Sequence, residues 1–188
     1  MIGIHAERVA GHDQVVRWVV PPGILPVGRV RRAPGRIGEM LCAGTFSEAL
    51  TEHGAVWLWL REDLSWAREG PAVQTALRQA LAEPSGWLVE PAPGEVLAHV
   101  TEDLLAGSVG DFVRSHGGSV TARPAGGEEV AVQLGGACEH CPAAEHTLRL
   151  RLLGELRRRC PDLVESGAGR GQLRLRLERS VGRGGSDT

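Results

Sequence analysis

Cys138 and Cys141 form the residue pair whose type and spacing best suit metal chemistry in this chain. Two intervening residues let both sulfurs turn the same way and chelate one metal ion or cluster. Pro142 follows at once and suits the first turn of a helix, where its missing N–H costs nothing. The thiols would then lie near the positive end of a helix dipole, which lowers the thiol pKa and favours the metal-binding thiolate. The pattern predicts a metal-binding or redox-active pair.

A CxxC pair supplies only two ligands, whereas iron–sulfur clusters and structural zinc usually take four. Cys160 lies 19 residues beyond Cys141. Across a continuous helix that separation is roughly 25–30 Å, too far to complete the same site within one chain. Cys42 belongs to another predicted domain, and we interpret Cys42 and Cys160 as small buried or incidental residues. Pairing of two CxxC loops in a symmetric dimer is the simplest source of four thiolates.

The residues around the pair predict an α+β domain over residues 98–179, with the order helix, strand, strand, helix, strand. The first helix ends at His116, which we interpret as its C-terminal cap, and a hairpin of strands 119–123 and 129–134 follows. A long helix over 143–159 carries a leucine stripe, and alternating leucines and arginines over 173–177 indicate a strand with one buried face. This fold is a small sheet with helices on one face. It places the CxxC between a strand and a helix.

Residues 1–88 predict a second small two-layer domain. We expect strands over 14–20 and 55–60 and a helix over 71–82 that has Pro71 in its first turn. Glu48 lies three residues after Thr45, a spacing that predicts a short helix over 45–50. Residues 24–44 are dense in Gly, Pro and Arg and predict loop and short edge structure. The prolines of residues 89–97 predict a semi-extended linker. Residues 180–188 are predicted to be a disordered tail.

The second predicted domain resembles the NifU C-terminal (Nfu-type) family. The resemblance rests on His116-Gly117-Gly118, on a strand ending in Gly136-Ala137-Cys138-Glu139-His140-Cys141-Pro142, and on Thr147-Leu148 early in the next helix. It covers about 80 residues, and its motifs occur in the family's order. Ser119 stands where the family has Asp. The resemblance implies an iron–sulfur cluster scaffold or carrier, with a [4Fe-4S] or [2Fe-2S] cluster bridged between two subunits by Cys138 and Cys141.

Residues 1–88 look more faintly like the domain that precedes this module in many Nfu proteins. The matching features are Ile4-x-Ala6-Glu7, the segment Gly54–Leu58 and the downstream Trp66. A Thr-Pro-Asn-Pro-Asn-like opening is absent. The resemblance implies a carrier without catalytic turnover, rather than an enzyme. Its expected partners are apo iron–sulfur clients, the cluster assembly machinery and a second copy of the chain.

Composition restricts the remaining function classes. The net charge of -2 and the pI near 6.4 do not provide the concentrated basic face of a nucleic-acid-binding protein. No apolar run approaches the roughly 18 residues of a membrane helix, and the N-terminus lacks the pattern of a secretory signal. We therefore expect a cytoplasmic protein that binds neither membrane nor nucleic acid, with its four cysteines reduced.

Other uses of the same pair stay open from the residues alone. A thiol–disulfide protein or a zinc-stabilised module could use Cys138 and Cys141, although the thioredoxin pattern needs a βαβ setting that the predicted hairpin lacks. We interpret His140 and His146 as solvent-facing. The run Arg157-Arg158-Arg159 predicts a solvated helix end. Trp57, Trp59 and Trp66 are interpreted as packing aromatics.

Overall fold

The computed structural model describes residues 3–136, 142–169 and 171–178. These residues form an α+β fold with two antiparallel sheets, as predicted. The first part contains β1 (His5–Val9), β2 (His12–Val19), β3 (Gly28–Arg32), α1 (Gly35–Cys42), β4 (Phe46–Glu52), β5 (Ala55–Leu60), α2 (Trp66–Ala80) and β6 (Leu88–Glu90). The second contains α3 (Pro93–Ala106), α4 (Ser108–Ser115), β7 (Gly118–Gly126), β8 (Glu129–Gly136), α5 (Pro142–Arg159), β9 (Leu163–Gly169) and β10 (Gln172–Leu177).

The first sheet has six strands in the order β1-β2-β5-β4-β3-β6. Its central strand β5 is the apolar run predicted to be buried, and five of its six residues are buried. Helices α1 and α2 contribute Ile37 and Leu77 to the core on one face of this sheet. The predicted helix over 71–82 is α2, which begins earlier, so that Pro71 lies inside the helix rather than in its first turn.

Two local predictions in this sheet are wrong. Residues 45–50 were expected to form a helix but belong to β4, which pairs with β5 from Phe46 to Glu52 and buries Ala49 and Leu50. Pairing along a whole buried strand outweighs a capping signature, because local propensity is a weak preference. Residues 24–44 contain helix α1 as well as loop and strand.

The prediction of a semi-extended linker over residues 89–97 is also wrong. Residues 88–90 form β6, which pairs with β3, and α3 begins at Pro93. Proline in the first turn is compatible with a helix, so the prolines mark the start of α3 and not a flexible segment. Val96 and Leu97 are fully packed in the core. The division into domains 1–88 and 98–179 stays a prediction, and the predicted tail 180–188 lies outside the described residues.

The second sheet has the order β7-β8-β10-β9. The hairpin, the long helix and the last strand are as predicted, whereas β9 adds a strand that the sequence did not indicate. The prediction of a single helix before the hairpin is wrong, because Gly107 has a non-helical ψ of -140° and separates α3 from α4. Inward side chains of β8, among them Val130 and Val132, pack in one cluster with Leu152 and Leu156 of α5. The predicted leucine stripe is therefore confirmed for its described members.

The cluster of the second sheet extends into the first. It includes Leu50 and Trp57 from β4 and β5 together with Val96, Val100 and Leu156 from helices α3 and α5. Helix α3 thus packs between the two sheets. Among the described residues, no helix is long and apolar enough to span a membrane.

Candidate metal centre

The predicted ligands Cys138 and Cys141 fall between β8 and α5. Gly136 is the last residue of β8, and Pro142 is the first residue of α5. Residues 137–141 lie outside the described part of the chain, so the assignment of the two thiols as ligands stays a prediction. The flanking elements agree with the predicted setting, in which a strand precedes the pair and a helix follows it.

The end of β8 is shaped by two glycines. Gly136 pairs with Gly118 of β7, and Gly135 pairs with Ser119. Gly136 has φ 65°, and a Cβ built on it would lie 2.9 Å from the carbonyl oxygen of Gly117. A Cβ on Gly135 would lie 2.7 Å from Ser119 Oγ. A side chain is thus excluded at Gly136 by the backbone, whereas at Gly135 the Ser119 hydroxyl would have to move. The His-Gly-Gly segment lies beside the strand that leads to the cysteines.

Helix α4 and helix α5 are linked by an aromatic contact on this side of the domain. The Phe112 ring packs edge-on against His116, with centroids 4.7 Å apart. The guanidinium carbon of Arg151 on α5 lies 4.2 Å from the centroid of the same ring. Such a cation–π contact contributes about 0.5–1 kcal/mol at a partly exposed site. The sequence did not indicate this pairing of Phe112 with Arg151, because it depends on how the two helices cross.

The histidine predictions can be compared with the structure at two positions. His116 is the C-terminal cap of α4, as expected. His146 is exposed on α5, also as expected. His140 lies outside the described residues.

The two remaining cysteines have different surroundings. Cys160 follows α5 directly and is 4% exposed. Burial raises the pKa of its thiol to about 12, the nearby Glu52 carboxylate adds to the effect, and Arg159 and Arg17 oppose it. A thiol in that state is a poor metal ligand at neutral pH, because the thiolate is the form that binds metal. Cys42 is the last residue of α1 in the first sheet's layer and is exposed rather than buried.

Residues 102–165 match the family model described as the NifU-like domain. This segment is similar to NifU-like domains. The match runs from the second half of α3 into β9, and it includes both cysteines of the CxxC pair. The NifU family is concerned with iron–sulfur cluster assembly, so the resemblance drawn from the motifs is confirmed at that level. No curated protein sequence and no solved structure matches this chain.

The matched segment covers about a third of the chain and lies wholly in its second part. The likeness of residues 1–88 to the Nfu N-terminal domain therefore stays a prediction. The structure nonetheless shows that the first part of the chain contacts the matched segment. Trp57 of β5 lies in the same core cluster as the helices α3 and α5.

An ionic group at the end of α5 was missed by sequence reasoning. Arg157 and Arg158 are more than half exposed, as expected for a solvated helix end, but the Arg159 side chain is only 13% exposed. It donates to Asp103 Oδ2 at 2.6 Å and to Glu52 Oε2 at 3.0 Å. Arg17 of β2 contacts the other oxygen of Glu52. The prediction for Arg159 is wrong because its partners lie more than 50 residues away, where no local pattern reveals them.

Glu52 is the centre of this group and is fully buried at its side chain. Trp57 Nε1 also donates to Glu52 Oε2 at 3.1 Å, and its ring centroid lies 5.2 Å from the guanidinium carbon of Arg159. Buried carboxylates persist when paired and hydrogen-bonded in this way. The group attaches the C-terminal end of α5 to the first sheet. The CxxC pair precedes the other end of this helix.

Proposed function

We propose that this protein is an iron–sulfur cluster carrier that holds its cargo through Cys138 and Cys141. The observation that carries the proposal is the NifU-like match, which spans the CxxC pair and its flanking elements. In the described structure the pair is preceded by an antiparallel strand and followed at once by a helix that starts with proline. The first N–H groups of a helix are unpaired and can donate to anionic sulfur.

The described cysteines support a bridged site rather than a site within one chain. Cys160 is buried as a protonated thiol, and it follows the far end of α5 from the CxxC. Cys42 lies in the layer of the first sheet, on α1. Because the Cys160 thiol is protonated and Cys42 belongs to an element of the first part of the chain, we propose that a second copy of the chain supplies the other CxxC pair. A homodimer then offers the four thiolates that two-iron and four-iron clusters both require.

The proposed transfer is an exchange of ligands without redox change. Each incoming thiol of an apo-protein loses its proton and binds iron, and the carrier thiolate that it replaces takes up a proton. The cluster keeps its electrons and its net ligand count throughout. The protein turns over no substrate in this scheme, so we propose a carrier and not an enzyme. The exchange needs reduced thiols, which fits action in the cytoplasm.

The antiparallel second sheet argues against the thioredoxin alternative. All three described pairings in that sheet are antiparallel. A thioredoxin-like CxxC follows a strand within a βαβ unit, which needs parallel strands. On reconstitution, a zinc module would take up zinc without iron, and a thiol–disulfide protein would take up no iron.

The test is anaerobic reconstitution of the full chain with iron and sulfide, followed by visible spectroscopy, metal and sulfide analysis, and mass measurement. We expect a coloured dimer with about one cluster per two chains. Cys138→Ser and Cys141→Ser should each abolish cluster binding, and Cys42→Ser, at an exposed thiol, is the matched control that should retain it. Full iron content in either CxxC variant would overturn the assignment. Uptake of zinc without iron would favour the zinc module.

A further inference from the structure

Three potential metal ligands meet where β4 faces α3. They are Glu48 on β4 and Glu95 and His99 on α3, and one ligand atom from each lies within 4.8 Å of the others. Glu95 and His99 are four residues apart, so they share one face of the helix. All three side chains are partly buried. This cluster is separate from the CxxC pair, and it joins the first sheet to the helix that leads into the NifU-like domain.

The two carboxylates are only partly neutralised. Arg29 Nη2 lies 3.1 Å from Glu48 Oε1 and also contacts Glu95 Oε1. Burial raises the pKa of Glu48, and its hydrogen bond to Glu95 adds to the effect, although Arg29 opposes it. Two carboxylates held this close share a proton or a cation. With both carboxylates ionised, one arginine leaves one negative charge, which a bound cation would balance in place of a shared proton.

His99 is available as the third ligand. Its ring packs against Trp59, with centroids 4.9 Å apart, and the ring of Trp57 lies 6.4 Å away. Within the described residues no hydrogen bond or ion pair is found for its ring nitrogens. Burial lowers the pKa of His99, so the imidazole is neutral and keeps a lone pair for a metal. The Trp59 ring is tilted by 58° to the imidazole and covers one side of it.

We propose that Glu48, Glu95 and His99 bind one divalent transition-metal ion, with water completing its coordination. Mixed carboxylate and imidazole ligands suit Zn²⁺, Fe²⁺ and Mn²⁺, whereas Ca²⁺ and Mg²⁺ prefer oxygen ligands alone. The bound ion would cross-link β4 and α3. The inference is independent of the proposed cluster site, because it shares no ligand with it.

The experiment uses the full chain with Cys138→Ser, Cys141→Ser and Cys42→Ser together, so that neither the CxxC pair nor the exposed Cys42 can contribute. Calorimetric titration with Zn²⁺ and Mn²⁺ is expected to show about one ion per chain. His99→Gln and Glu95→Gln should each weaken binding by at least about tenfold, as loss of one ligand does. The matched control is His5→Gln, since His5 forms another histidine–glutamate pair, with Glu7, away from the cluster. Circular dichroism would verify that every variant remains folded.

Tryptophan fluorescence tests where the metal ion binds. Mn²⁺ bound at His99 should quench the fluorescence of the neighbouring Trp59. Trp59→Phe should reduce that quenching, with the nearby Trp57 accounting for the remainder. Absence of metal binding, or binding that persists at equal affinity in both His99→Gln and Glu95→Gln, would overturn the site. Quenching that does not depend on Trp59 would also contradict it.

Discussion

Arg159, the last residue of α5, donates to Glu52, the last residue of β4, across 3.0 Å. The contact joins the helix that begins beside the CxxC pair to the central part of the first sheet. Both side chains are largely removed from water. The two ends of α5 therefore differ in their surroundings. The N-terminal end follows the cysteines, and the C-terminal end is bonded to the first sheet.

Replacement of Arg159 by Gln is expected to lower the free energy of unfolding by about 3–5 kcal/mol, because Glu52 would lose one of its cationic partners in a buried setting. Urea denaturation of the purified protein measures this change. Arg158→Gln is the matched control. Arg158 is 69% exposed, so we expect a change within about 0.5 kcal/mol. Equal losses in the two variants would show that Arg159 does not stabilise the fold through Glu52.

Cys160 is expected to resist alkylation in the folded protein, and Cys42 is expected to react. A thiol with a pKa of about 12 is a thiolate in roughly one molecule in ten thousand at about pH 8, and burial also blocks access. Mass spectrometry of peptides after brief treatment with iodoacetamide distinguishes the two positions. In urea both should react at similar rates. Rapid labelling of Cys160 without denaturant would contradict the described burial.

His99 should titrate below the ordinary histidine pKa of about 6.5 in the folded protein. The first cause is burial, which the carboxylates of Glu102 and Glu95 partly oppose, while His12 and Arg29 act with burial. NMR titration of the ring proton measures this pKa directly, with His99→Gln identifying the resonance. A value above 6.5 would contradict the prediction.

The same shift makes stability depend on pH. The unfolded chain binds a proton at His99 more readily than the folded chain does, so stability is lost as the pH falls below about 6.5 toward the lower folded pKa. His99→Gln should make the unfolding free energy less sensitive to pH in that window. An unchanged slope would show that His99 does not contribute to it. The comparison with wild type separates this residue from the other titrating groups.

Gly136→Ala should disturb the approach to the cysteines. The left-handed backbone and the 2.9 Å approach to Gly117 together predict a loss of about 1–3 kcal/mol. On the proposed function, the iron content after reconstitution should fall as well. Gly154→Ala is the control, because a Cβ built on Gly154 of α5 has no other atom within 4 Å. We expect Gly154→Ala to raise the free energy of unfolding by about 0.5–1 kcal/mol and to leave the iron content unchanged.

The parts of the fold with a regular local pattern of apolar residues were predictable from the sequence. The apolar run of β5, the hairpin of β7 and β8, and the leucine stripe of α5 all have the expected structure. The segment that contains Thr45 and Glu48 was predicted wrongly from local sequence alone. Their spacing suits a helix cap, yet the segment pairs with β5, and Glu48 contributes to a cluster with residues of α3.

The site was predictable only in part, for a related physical reason. The CxxC pair and Pro142 form a contiguous motif, so their setting between a strand and a helix could be read directly. Glu48 and Glu95 are brought together by the packing of α3 against the sheet, and so are Glu52 and Arg159. Contacts between residues about 50–100 positions apart depend on tertiary structure. No short window of the sequence contains both partners.

The position of α3 between the two sheets has a consequence for how the protein melts. Its residues Val96 and Val100 belong to a cluster that also contains Trp57 of the first sheet. We therefore expect a single calorimetric transition, with equal calorimetric and van't Hoff enthalpies. A fragment that begins at residue 98 would cut through α3 and remove Val96. We expect such a fragment to expose apolar surface to water and to aggregate, because the second part of the chain packs against the first.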